Sequence, residues 1–235
     1  MRAVILAAGA GRRLSPMGWD RPKCLLPCPQ GTLLDNVLNA VALRGVSEAV
    51  IVVGYRRELI ERAVVNCPLP VRLVANEAFV ATNTLQSLWF AHEYLTESYL
   101  LFNGDVWFRP SVLDALSSSA GSALAVEEKT CGEEEVKVMV DGRGRVLRVG
   151  KGLNPRECFG ESVGMGAFDA AFGRALIRSL DRIRRSPTSD SLYYESAVDS
   201  LLDSHQLRAA MIAPGDAIEI DTPEDYERAQ RLWSA

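Results

Sequence analysis

Small residues, two cations and a proline-lysine pair crowd the start of the chain: Ala7, Ala8, Gly9, Ala10 and Gly11, then Arg13, then Pro22-Lys23. Residues with almost no side chain leave backbone N–H groups open to an anion. Arg13 and Lys23 would add fixed positive charge at the same spot, which suits the handling of a polyphosphate. The letters exclude two neighbouring motifs. A dinucleotide fingerprint needs a third glycine where Leu14 stands, and a P-loop needs Gly-Lys-Ser/Thr, which does not follow Gly11. An isolated Gly-x-Gly is ordinarily a tight strand-to-helix turn; the added arginine and lysine favour the anion site.

Carboxylates far along the chain form a candidate metal set. Asn103-Gly104-Asp105 follows an apolar run, which would project Asp105 beyond the carboxyl end of a strand. Glu219 and Asp221 alternate in Ile218-Glu219-Ile220-Asp221 and so face one side. Magnesium takes a few carboxylate oxygens together with water and substrate phosphates, so these acids would suffice for one Mg2+. The plainer readings are a turn at Gly104-Asp105 and a helix cap at Asp221 or Thr222.

For a second, smaller substrate, Lys137 and Lys151 could bind an anionic group. Tyr193, Tyr194 and Glu195 offer aromatic faces and a carboxylate suited to an ammonium, against the plain alternative that two tyrosines opening a helix simply pack. Glu161 could orient a hydroxyl or ammonium group, and Trp107 is either a pocket wall or core. The Glu133–Glu135 run reads as solvated, and His92 and His205 as structural.

The string LAAGAGRRLSP followed by RPKCLLP resembles the signature of the sugar-phosphate nucleotidylyltransferases, which join a nucleoside triphosphate to a phosphorylated small molecule and release pyrophosphate. The ten-residue step from Arg13 to Lys23 resembles the sugar-phosphate and phosphocholine branch. Further on, NEAFVATNTLQSLWFA, LLFNGDVWF, EEEVKV, GRVLRVGKGL and GESVGMGAF are similar, in that order, to the bacterial phosphocholine cytidylyltransferase group, so the likeness covers most of the chain. It implies a nucleotide-binding set of Ala7, Ala8, Gly9, Gly11, Asn83, Ser87 and Asp105, with Arg13 and Lys23 catalytic. It also implies a metal pair, Asp105 and Asp221, with Glu219 as a third member. The expected reaction is CMP transfer from CTP to phosphocholine, phosphoethanolamine or 2-aminoethylphosphonate. Uridylyl, guanylyl or thymidylyl transfer to a sugar 1-phosphate, and a non-catalytic nucleotide-sugar-binding subunit, stand as alternatives.

The elements that must position these residues alternate. Buried strands are expected at Ala3–Ala7, Ala49–Val53, Val71–Val74 and Tyr99–Phe102. Helices are expected from the Thr32 cap to Gly45, at Arg57–Val65 and at Thr84–Tyr94. This predicts an α/β fold, a single Rossmann-like mixed but mostly parallel sheet flanked by helices, of the nucleotide-diphospho-sugar transferase type by resemblance. Ligands then sit beyond the carboxyl ends of the strands.

Short strands at Ala123–Val126, Val136–Val140 and Val146–Val149, with an Asp141-Gly142 hairpin, suggest an antiparallel acceptor-binding insertion over 110–165 within one domain, 1–235. Helices at Asp169–Ile183 and Tyr193–Leu202, a strand at Leu207–Ile212 and a helix opened by Thr222-Pro223 complete the pattern. With 48% hydrophobic residues, a formal charge of −4 and no apolar run near membrane-spanning length, neither a membrane span nor a basic nucleic-acid face is expected. Five scattered cysteines fit a reducing compartment and a cytoplasmic protein. No appended repeat domain is expected, and the sequence leaves a homo-oligomer open.

Overall fold

The computed structural model describes residues 1–234. Its strands are β1 (Arg2–Ala7), β2 (Pro27–Cys28), β3 (Gly31–Thr32), β4 (Glu48–Val53), β5 (Val71–Ala75), β6 (Tyr99–Asn103), β7 (Val106–Phe108), β8 (Ala123–Glu128), β9 (Lys137–Val140), β10 (Val146–Gly150), β11 (Gly160–Phe168), β12 (Arg208–Ile212) and β13 (Ala217–Glu219). The helices are α1 (Leu33–Ala42), α2 (Arg57–Ala63), α3 (Thr84–Phe90), α4 (Pro110–Ser118), α5 (Ala170–Ile183), α6 (Glu195–Asp199) and α7 (Pro223–Trp233).

Nine strands make one sheet in the order β10-β9-β11-β6-β1-β4-β5, with β8 against β11 and β12 against β8. The β6-β1-β4-β5 part is parallel, and β8, β9 and β10 join through antiparallel pairs around β11. The strands of the 110–165 segment therefore extend the central sheet instead of forming an appendage, and the segment begins with α4. Strand β11 is hidden in the sequence by Gly160, Gly164 and Gly166. It breaks register between Ser162 and Gly166, where Gly164 takes a φ of 68°.

Residues 3–7 of β1 are all buried because helices cover both faces of the sheet. Ala3, Ile5 and Ala7 face a core shared with Leu34, Val37, Leu38 and Val41 of α1 and Val112, Leu113 and Leu116 of α4. Val4 and Leu6 face the other core, with α3, α5 and α6. Each large aliphatic side chain buried this way contributes about 1.5–3 kcal/mol. The parallel strands all end on one edge, so the segments after β1, β4, β5 and β6 gather there. No described helix is long and apolar enough to cross a membrane.

A two-stranded pair, β7 with β13, has no sequence signature yet does most to build the site. Glu219 lies opposite Val106, and the Ile220 N–H donates to the Asp105 carbonyl at 2.9 Å. That pairing sets the segment carrying Asp221 beside the one carrying Asp105.

Candidate active site

Four distant segments converge at the carboxyl edge of the sheet. Gly104 turns so tightly after β6 that its N–H donates to the Leu6 carbonyl at 2.9 Å, and a Cβ there would lie 2.8 Å from that oxygen. Only glycine allows this approach, and it turns Asp105 back toward the loop after β1. Gly11 has a φ of 59°, and a Cβ on it would meet Lys23 Cγ at 2.6 Å, so the lysine stem runs through the space glycine leaves.

Lys23 Nζ donates to Asp105 Oδ2 at 2.6 Å and also to Asp221 Oδ1, while Arg13 reaches Asp221 Oδ2 at 2.6 Å. Burial pulls the Lys23 ammonium down, but the two carboxylates outweigh it and raise it above the ordinary lysine range. At Asp221 burial pushes upward, and Lys23, Arg13 and Lys151 together hold it below the usual carboxylate value. Glu219 is pushed well up by burial and by the charges of Asp105 and Asp221.

Asp221 is free for this role because Thr222 caps α7. Thr222 Oγ1 accepts from the Asp225 N–H at 3.2 Å, and Asp225 Oδ2 accepts from Thr222 N at 3.0 Å. The reciprocal pair satisfies the helix start without Asp221. Asp105, Glu219 and Asp221 present oxygens within 4.8 Å of one another, a set suited to a divalent cation, and Asp105 Oδ1 is buried without a partner.

Two cavities meet here. One, of about 210 Å³, runs along Leu6, Ala8 and Gly9 to Phe79, Thr82, Asn83, Ser87 and Asn103. The other, of about 500 Å³, is walled by Glu127, Lys129, Glu134, Glu135 and Glu161. Arg13, Lys151, Glu219 and Asp221 line both. In the larger cavity Lys129 donates to Glu161 at 2.9 Å, and Glu161 is pushed up first by burial and also by Glu135 and Glu127.

Residues 3–185 match the model of the MobA-like NTP transferase domain. The chain belongs to that family. This NTP transferase is 31% identical over 247 residues to the CMP-5'-(3-aminopropyl)phosphonate synthase of Streptomyces rubellomurinus, a match that covers 100% of this chain but 39% of that protein. It is 25% identical over 243 residues to the choline-phosphate cytidylyltransferase of Streptococcus pneumoniae, covering 99% of this chain and 98% of the relative. Against the 2-aminoethylphosphonate cytidylyltransferase of Lancefieldella rimae the identity is 24%, covering 92% and 88%. The solved structure of the Streptococcus pneumoniae CTP:phosphocholine cytidylyltransferase superposes with a TM-score of 0.83 at 20% identity, over 98% of both chains, a likeness of fold.

Not every residue singled out in the NTP transferase sequence reaches the cavities. Arg13, Lys23, Asp105, Glu219 and Asp221 come together. Asn83 caps α3, accepting from the Thr84 N–H at 2.8 Å, and also lines the smaller cavity. Ser87 lies beside it, held by Asn76 Nδ2 at 3.1 Å. Ala7 and Gly11 shape the loop without lining either cavity; Leu6, Phe79 and Asn103, which fall within the family-like motifs but carry no expected role there, line the smaller one.

Lys137 and Tyr194 are corrections. Lys137 is 0% exposed and donates to the carbonyls of Glu133 and Glu135, so it pins that turn and cannot face an acceptor. Tyr194 is sealed in the core with α3 and α5. Trp107 is core too, packed with Ile218 and Ile220, its Nε1 donating to Gln30. Tyr193 and Glu195 line the smaller cavity, whereas Glu161 lines the larger one and Lys151 both. Neither histidine lines either cavity. His92 stacks on Trp89, and His205 sits edge-on to Phe172.

Proposed function

We propose that the protein transfers CMP from CTP to a small phosphate or phosphonate acceptor and releases pyrophosphate, with Mg2+ as its metal. The observation that carries this reading is the convergence of two cations and three carboxylates where the two cavities meet. The glycine-loop end of the smaller cavity would take the nucleotide, and the acceptor would lie between the junction and the Tyr193–Glu195 end. The choice of CTP and of a phosphate or phosphonate acceptor is supported by the activities named for the relatives.

Asp105 and Asp221, with Glu219 behind them, would hold the ion, which supplies charge neutralisation at the α-phosphate. One oxygen of the acceptor's phosphate or phosphonate attacks the α-phosphorus in line. A new P–O bond forms as the bond to the bridging oxygen of pyrophosphate breaks, and that oxygen leaves with the electron pair. No general base is needed, because a phosphate monoester is already ionised near neutral pH, its second pKa being about 6. The work of the chain is alignment and charge compensation. Arg13 and Lys23 neutralise the triphosphate, and Lys151, which borders both cavities, orients the acceptor anion.

The same carboxylates cannot hold both the Lys23 ammonium and a divalent ion in one place. With an ion held by these carboxylates, Lys23 would be free to reach the phosphates instead. The test is a pyrophosphate-release screen of CTP, UTP, GTP and dTTP against phosphocholine, phosphoethanolamine, 2-aminoethylphosphonate and glucose 1-phosphate. Release with CTP and a small phosphate or phosphonate is expected. Release only with a sugar 1-phosphate would overturn the reading.

A further inference from the structure

Glu195 is one of three residues lining the smaller cavity, with Asn103 and Asp105, that bury an unpartnered side-chain oxygen, and it lies farthest along the chain from the glycine loop. The residue is 3% exposed, opens α6 and lines the smaller cavity, yet its Oε2 has no hydrogen-bond partner. A buried carboxylate oxygen without a donor is costly, and one that faces a cavity can be satisfied by what enters. Its charged and titratable surroundings are Lys151 and the neighbouring Tyr194 hydroxyl, which is likewise buried without a hydrogen-bond partner, while Glu219 lines the same cavity. Lys151 does not ion-pair with it, because its ammonium lies over the Tyr193 ring, 4.7 Å from the centroid.

The aromatic inventory excludes a cage. A quaternary ammonium has no N–H and is held by several open aromatic faces. Of the residues lining the two cavities, only Phe79 and Tyr193 are aromatic. Phe79 follows β5 at the glycine-loop end, and Tyr193 has Lys151 on one face. The larger cavity has carboxylates and no aromatic ring. Such walls offer hydrogen-bond acceptors to N–H donors and little to a trimethylammonium.

Resting on the cytidylyl-transfer reading, we propose that the acceptor carries a primary ammonium, and that Glu195 Oε2 accepts its N–H, making Glu195 the residue that selects primary over quaternary amines. An acceptor whose phosphate or phosphonate is held at Lys151 would turn its other end toward Glu195. A charge-assisted bond in a dry pocket discriminates strongly against an analogue that cannot donate.

Phosphoethanolamine and phosphocholine differ only in three methyl groups on nitrogen, so the test compares kcat/KM for the two with CTP in wild type, Glu195→Gln, Glu195→Asp and Lys23→Ala. Wild type is expected to prefer phosphoethanolamine by at least about tenfold. In Glu195→Gln the phosphoethanolamine KM should rise about tenfold, the CTP KM should stay within about twofold, and the preference should collapse; Glu195→Asp should retain part of it. Equal or better use of phosphocholine by wild type would overturn the proposal. So would an unchanged phosphoethanolamine KM in Glu195→Gln, or a rise in the CTP KM alone, which would assign Glu195 to the nucleotide. Turnover of either acceptor that vanishes in Lys23→Ala upholds cytidylyl transfer whatever the ratio; no turnover of either overturns this proposal, and no turnover of 2-aminoethylphosphonate as well brings the cytidylyl-transfer reading down.

Discussion

Lys23 and Asp105 are joined by a 2.6 Å ion pair, and the same ammonium binds Asp221, so a single cation bridges the two carboxylates that would hold a metal. Replacing Lys23 with methionine removes the competitor and the triphosphate ligand together. Turnover should fall about 10²–10³-fold, while nucleotide-free protein should bind Mn2+ more tightly than wild type in an electron paramagnetic resonance titration. Weaker Mn2+ binding would mean that Lys23 supports the carboxylates and does not compete for them.

Gly9 separates a ligand role from a structural one. It is exposed, and a Cβ there would find no atom of the protein within 4 Å. Gly9→Ala should therefore melt as wild type does, within about 0.5 kcal/mol, yet raise the CTP KM about tenfold or more, because the methyl fills the approach to the backbone N–H groups. Unchanged kinetics would move the nucleotide off this loop.

Thr222→Ala should cost about 1 kcal/mol of stability through the lost cap. Asp225 would then no longer be fixed, and its carboxylate also accepts from the Asp221 N–H at 3.2 Å. A severalfold fall in kcat should accompany the lower melting temperature. Full activity in a destabilised variant would uncouple the cap from the placing of Asp221.

Burial pushes Glu195 up to about 7, opposed by its own N–H, the Tyr194 hydroxyl and Lys151. A carboxyl whose folded value lies above its unfolded one keeps its proton longer in the native state, so wild type loses stability as pH rises from about 4.5 through about 7. Glu195→Gln does not titrate there. Its stability relative to wild type should improve on going from pH 5 to pH 8, by on the order of 3 kcal/mol at most, in denaturant unfolding at the two pH values. A pH-independent difference would place Glu195 in contact with solvent.

What was legible in the sequence is what local chemistry encodes. Continuous apolar runs gave the parallel strands, and Thr32 and Thr222 marked helix starts that each close a capping box with an aspartate three residues on. The β7–β13 pair was invisible, because its three-residue strands carry no alternation and meet only through the tertiary fold. For the same reason, the meeting of Lys23, Asp105 and Asp221 could be expected from resemblance alone. Lys137 misled because a lysine is ordinarily expected to carry its charge to solvent or to a ligand, whereas both faces of β9 are covered here; Val138 is buried beside it. Tyr194 misled because two adjacent tyrosines can point to opposite sides, one into the core and one into the cavity.

The most direct test is a crystal structure of the protein with CTP and Mn2+, the metal located by anomalous scattering. The expected result is an ion about 2.0–2.3 Å from oxygens of Asp105 and Asp221, with Lys23 drawn off those carboxylates onto the triphosphate and the base beyond Gly9 toward Asn83. A nucleotide bound elsewhere, with Lys23 still bridging Asp105 and Asp221, would contradict the account.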